Sequence, residues 1–101
     1  MAVPILYRAA ARREIVEAAR DYERLRPGFG SVFLDEIARV ERHVSDAPGL
    51  YQEVEREIRR AVLRRFPYGL FYVEEAAGIV VLACLDLRRD PQAIEDIVGR
   101  R

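Results

Sequence analysis

The residues from Ile58 to Pro91, IRRAVLRRFPYGLFYVEEAAGIVVLACLDLRRDP, constrain the fold more than any other part of the chain. They hold three runs rich in Val, Ile, Leu, Phe and Tyr, joined by short connections at Arg65–Pro67 and Glu74–Gly78. Such runs with brief, turn-prone links predict an antiparallel meander. Strand ends distant in the chain then fall side by side. In the last run Ile79, Val81, Ala83, Leu85 and Leu87 are expected on one face, with Val80, Leu82 and Cys84 on the other. A strand apolar on both sides must be covered on both sides.

The segments before the meander supply one cover. Val3–Tyr7 reads as an edge strand, because Pro4 cannot donate to a ladder. Ala11, Ile15, Ala18, Tyr22 and Leu25 then recur at helical spacing, as do Phe29, Phe33, Ile37, Val40 and Val44 after the Pro27-Gly28 break. Two helices on so short a link form a hairpin. Leu50–Glu57 reads as an irregular acidic connection, and Asp90-Pro91 starts a short C-terminal helix. The hairpin covers one face only. The C-terminal segment, a second copy or a partner chain must cover the other.

Charge and cysteine usage exclude several classes. All 17 basic residues are arginine and are matched by 17 acidic ones, so the neutral chain has no global attraction for nucleic acid. A phosphate site would have to be a local patch of guanidinium forks. One cysteine and one histidine leave no intrachain disulfide and no ordinary zinc site, and no metal or cofactor is expected. Cys84 lies in an apolar run and reads as a buried residue. His43 reads as a surface residue. No apolar run approaches the ~20 residues that span a bilayer. The N-terminus lacks a signal-peptide pattern, so a single cytoplasmic domain over residues 1–101, away from membranes, is expected.

The order of these pieces is familiar. RRAVLRRFPYGLFYVEEAAGIVVLACLDLRRDP resembles the region of RelE/ParE superfamily toxins in which an arginine-ended strand precedes FPY-hydrophobic-Y, a turn, a V-I-L-A run and RRDP. VPILYRAAARREI, FGSVFLDEI and the P-x-L-Y connection at Pro48–Tyr51 match upstream. The resemblance implies an α+β fold, β-α-α-β-β-β with a short C-terminal helix, its antiparallel sheet packed on the helical hairpin. It also implies a toxin of a type II toxin–antitoxin system of the plasmid-stabilisation kind, able to inhibit growth. A cognate antitoxin would neutralise it, and operator DNA would be bound only through the antitoxin complex.

The superfamily divides between ParE-like inhibitors of DNA gyrase and RelE-like nucleases that cut mRNA on the ribosome. The resemblance places Arg60 and Arg89 at basic positions of the nuclease branch, with Tyr68 as the candidate for proton transfer. Val62 and Gly69 stand where further basic residues are usual, Asp86 where many relatives have His, and Glu95 about where a C-terminal Tyr is expected. These departures favour a non-enzymatic gyrase inhibitor over an endoribonuclease. An inert homologue that only binds antitoxin or promoter is the third alternative. Arg64, Arg65, Arg88 and Arg89 are the candidates for target or phosphate binding. Phe71, Tyr72, Leu82 and Ile94 are the candidates for antitoxin binding.

Overall fold

The meander forms as the sequence predicts, and it is the middle of a larger sheet. The structure is a computed structural model and describes residues 3–101. The elements are β1 (Ile5–Tyr7), α1 (Ala9–Leu25), α2 (Phe29–Asp46), β2 (Gln52–Glu55), β3 (Ile58–Val62), β4 (Tyr68–Glu75), β5 (Gly78–Asp86) and α3 (Pro91–Gly99), with a 3-10 turn at Pro48–Leu50. The strands lie in the order β1-β5-β4-β3-β2, antiparallel except for β1, which runs parallel to β5.

The segment expected to be irregular contains β2. It escapes an apolar reading because charge holds it: Glu53 lies opposite Arg59, and Arg59 Nη1 donates to Tyr51 O at 2.7 Å. Opposite charges across a ladder stabilise an exposed edge strand that buries little. Glu57 takes a left-handed conformation (φ 58°) to close the hairpin into β3.

The α1–α2 hairpin packs on one face of the sheet. Ala11, Ile15 and Ala18 of α1, with Phe33, Ile37, Val40 and Val44 of α2, meet Ala61, Leu63, Leu70, Tyr72, Ile79, Val81 and Cys84. A Cβ at Gly30 would lie 2.6 Å from Ala19 O, so glycine sets how closely the helices approach. Glu23 accepts from the Gly28 and Gly30 amides at 2.9 and 3.0 Å, using the end of α1 to cap the start of α2. Leu25 does not belong to the buried stripe: it is 76% exposed, because α1 clears the sheet after Tyr22.

The second face is covered by α3. Asp90 caps this helix by accepting from the Gln92 amide at 3.2 Å. Ile94 and Val98 then lie on Phe71, Val80, Leu82, Ala83 and Leu85. The expected alternation of β5 is corrected by a bulge. Phe71 pairs with Ala83 and Tyr72 with Val81, which leaves Leu82 as the extra residue. Beyond it the faces exchange, so Cys84 turns to the hairpin while Ala83, Leu85 and Leu87 turn to α3.

β1 covers only Ile79–Val81 of β5. Beyond that, Glu14 of α1 accepts from the Cys84 amide at 3.1 Å, and Arg101 donates to Leu82 O at 3.1 Å. Arg101 also holds Glu14 through two bonds of 2.8 and 2.9 Å. One ion pair thus satisfies backbone groups at the bulge and ties the chain after α3 to α1.

Gly78 is the tightest point. It sits at φ 143°, and a Cβ there would lie 2.5 Å from Pro4 O, the acceptor of the Ile79 amide. Gly78→Ala is expected to cost about 2–3 kcal/mol, read as a lower urea midpoint. A loss under about 0.5 kcal/mol would contradict this β1–β5 contact.

Candidate functional site

The β3–β4 turn is an anchored loop. Arg65 adopts φ 70°, and Phe66 plugs into the hairpin with only 4% of its surface exposed. Its ring lies 4.9 Å from Tyr22, 5.2 Å from Phe33 and 5.4 Å from Phe29, while Tyr68 stands 5.4 Å from Phe33. The edge-to-face pairs among these, Phe66 with Tyr22 and Phe33 and Tyr68 with Phe33, add about 0.5–1.5 kcal/mol each beyond burial. Glu36 of α2 ties the same turn down by accepting from the Arg64 amide and gripping Arg39 at 2.7 and 2.8 Å.

Arg64 and Arg65 lie at the same end of the sheet as Arg88 and Arg89, as the meander predicts. Tyr68 pairs with Asp86, and the Leu87 amide donates to Pro67 O at 2.7 Å. The four do not form one rim. Arg65 lines an open groove with Asp35, Glu36, Arg39 and Arg42. Arg88 is held by Asp86 at 2.7 Å, and that pairing keeps the Asp86 carboxyl below its ordinary pKa. Arg89 lines a small cleft with Glu14, Glu17, Asp21, Tyr68 and Asp86, where acidic groups outnumber it. Among the described residues, the guanidinium groups of Arg64, Arg65 and Arg89 have no carboxylate within 4.0 Å.

The three candidates for RNA chemistry do not assemble either. Arg60 lies opposite Phe71 on the α3 face, its stem crossing Gly69, where a Cβ would meet it at 3.2 Å. Tyr68 is on the hairpin side of the sheet, in the cleft with Arg89. Burial raises the Tyr68 pKa, which makes its phenolate less available as a base. Arg60 instead lines a cleft of about 150 Å³ between α3 and the sheet with Glu55, Glu95, Phe71 and Leu87.

The four residues expected to meet an antitoxin lie inside the fold. Phe71, Tyr72, Leu82 and Ile94 are all buried. Tyr72 is fully enclosed on the hairpin side, donating to Pro48 O at 2.5 Å; burial pushes its pKa up to about 12. The other three pack together beneath or within α3. An apolar run in sequence marks a face that needs cover, and here the chain covers it itself. His43 is exposed and Cys84 buried, as expected.

Sequence reasoning passed over the outer side of the hairpin. Arg12, Arg13, Val16, Glu17 and Arg20 line an open groove of about 540 Å³. A second, of about 360 Å³, is lined by Val16, Ala19, Arg20, Glu23 and Leu34. The available signal was Val16 and Leu34, apolar residues that fall off both buried stripes.

No protein-family model and no curated protein matches this sequence. The structure is similar to a chain of the chromosomal ParDE TA system from P. aeruginosa, with a TM-score of 0.76 at 15% identity, covering 84% of this chain and 96% of that one. At that identity the likeness is one of fold. The chain therefore shares the α+β fold of that chain, with the element order that the sequence led us to expect and β2 added.

The Glu36 contacts predict an acid-sensitive turn. The hydrogen bond from Arg39, aided by the Arg64 amide, holds the Glu36 carboxyl below its ordinary pKa. A carboxyl that ionises more readily when folded stabilises the fold above its ordinary pKa; that contribution is lost as pH falls through the depressed value. Glu36→Gln should therefore cost about 1–3 kcal/mol near pH 7. The gap between the two proteins in denaturant midpoint should shrink on acidification; a constant gap would contradict the linkage.

Proposed function

We propose that this chain is the toxin of a type II toxin–antitoxin pair and that it acts as a ParE-like inhibitor of DNA gyrase. The main support is the fold, shared with a chain of a ParDE TA system. The division of Arg60 from Tyr68 and Arg89 across the sheet favours binding over RNA cleavage. Cleavage needs a base for the 2′-hydroxyl, charge beside the phosphate and a proton for the leaving oxygen, all within reach of one scissile bond. In this reading the protein works in the cytoplasm, a cognate antitoxin neutralises it, and operator DNA is reached through the toxin–antitoxin complex.

A RelE-like reading has one observation in its favour: Arg60 shares its cleft with two carboxylates, Glu55 and Glu95, which offer a base beside a guanidinium. It requires codon-register cuts in ribosome-bound mRNA that disappear in Arg60→Ala.

Expressed without an antitoxin, the chain should arrest growth and induce the DNA-damage response while translation in a purified system continues. Purified chain should inhibit gyrase supercoiling, and Arg60→Ala should leave that inhibition within about twofold of the parent. Arrested translation on undamaged DNA would overturn the gyrase reading, and absence of growth arrest would leave the inert homologue.

A further inference from the structure

The cleft between α3 and the sheet joins an apolar floor to three charged side chains. Ile94, Glu95 and Val98 recur at helical spacing, so one stripe of α3 forms its roof. Phe71, buried in β4, is the floor. The β2–β3 ladder shifts register between Glu53 and Glu55, and Val54 and Glu55 both reach the cleft although they are neighbours in one strand. Across from them Arg60 and Leu87 close over Gly69, where a Cβ would meet them at 3.2 and 3.3 Å. Among the described residues the Arg60 guanidinium has no carboxylate within 4.0 Å, although Glu55 and Glu95 line the same cleft. One cation and two anions therefore face a shared apolar space without pairing with each other.

We propose that this cleft binds a free apolar α-amino acid of leucine or phenylalanine size, as its zwitterion. The ligand carboxylate meets the Arg60 fork, the ammonium meets Glu55 and Glu95, and the side chain lies over Phe71. A cavity of about 150 Å³ lined by Leu, Ile and Phe admits benzene. The cleft has that volume, so one such side chain fits, whereas a nucleotide needs a larger site. A simple anion is a poor occupant because two carboxylates confront it, and a simple cation leaves Arg60 unsatisfied. An internal residue of a partner chain has neither charged end to offer. The site does not rest on the toxin reading, and growth arrest plays no part in its test.

The test titrates the purified full chain with L-leucine and L-phenylalanine by calorimetry and maps the site by NMR shifts. At least one of them should bind with a Kd below about 1 mM, with shifts centred on Val54, Arg60, Phe71 and Ile94. N-acetyl-L-leucine lacks the ammonium and L-leucinamide lacks the carboxylate, and each should bind about tenfold more weakly than leucine. Arg60→Gln should weaken binding of the amino acid about tenfold, and Glu55→Gln/Glu95→Gln about fivefold. Val54→Phe keeps every charge but fills the cleft, and should abolish binding. Arg12→Gln/Arg13→Gln, on the outer side of the hairpin, should change it less than about twofold. Thermal midpoints near the parent's would exclude unfolding as the cause. No binding of either amino acid at about 10 mM, binding of leucinamide or acetyl-leucine as tight as that of leucine, or shifts centred outside the cleft would each overturn the proposal. So would adenosine monophosphate binding in the cleft more tightly than either amino acid.

Discussion

Burial of β5 on both faces is the constraint from which the rest of the structure follows. Gly78 to Leu85 are buried without interruption, so the strand is stable only between two layers. The helical hairpin is one layer and α3 the other. Burying a single Leu, Val or Phe contributes about 1.5–3 kcal/mol, and Phe71, Val80, Leu82 and Leu85 would all meet water if α3 were absent. The dependence is mutual: a helix of nine residues is marginal alone and persists because the sheet holds its apolar stripe. The Glu14–Arg101 pair joins both layers at the bulge of β5.

That arrangement decides which arginines are available. Arg39, Arg59, Arg88 and Arg101 are committed to carboxylates, three of them through bidentate forks that a lysine could not match. Others, including Arg12, Arg13, Arg20, Arg64, Arg65 and Arg89, carry no such partner among the described residues. A chain of zero net charge therefore still presents local cationic surface. Exposed pairs contribute at most about 1 kcal/mol, so stability does not require this surplus of solvent-facing guanidinium groups.

Much of the fold was legible in the sequence because apolar periodicity reports burial directly. The spacing of Phe33, Ile37, Val40 and Val44 located α2, and Asp90-Pro91 located the start of α3. What failed were features that periodicity does not encode. QEVE forms a strand because its partner is arginine-rich, a property of the pair rather than of the segment. The bulge at Leu82 is invisible in an unbroken apolar run, since either face assignment looks equally apolar. The candidate site was less legible for a related reason. Matching the Arg60, Tyr68 and Arg89 positions to a motif places them along the chain but does not say which side of the sheet each one faces.

The same logic decides which side chains share a cleft. In β4, Gly69 admits the stem of Arg60, which turns the guanidinium into the α3 cleft and away from Tyr68 and Arg89. A side chain at that position would crowd the stem, so the glycine and the arginine are a packed pair before they are parts of a site. A nuclease must keep a base, an acid and a charge-stabilising group within a few ångströms of one bond; a protein that blocks its target needs only a stable shape with complementary charge. The aromatic plug at Phe66 fixes the turn, and the bulge clasp fixes α3 over the sheet. With both sheet faces closed by the chain's own helices, the exposed chemistry lies on helix surfaces, grooves and turns, as guanidinium forks and half-exposed apolar residues.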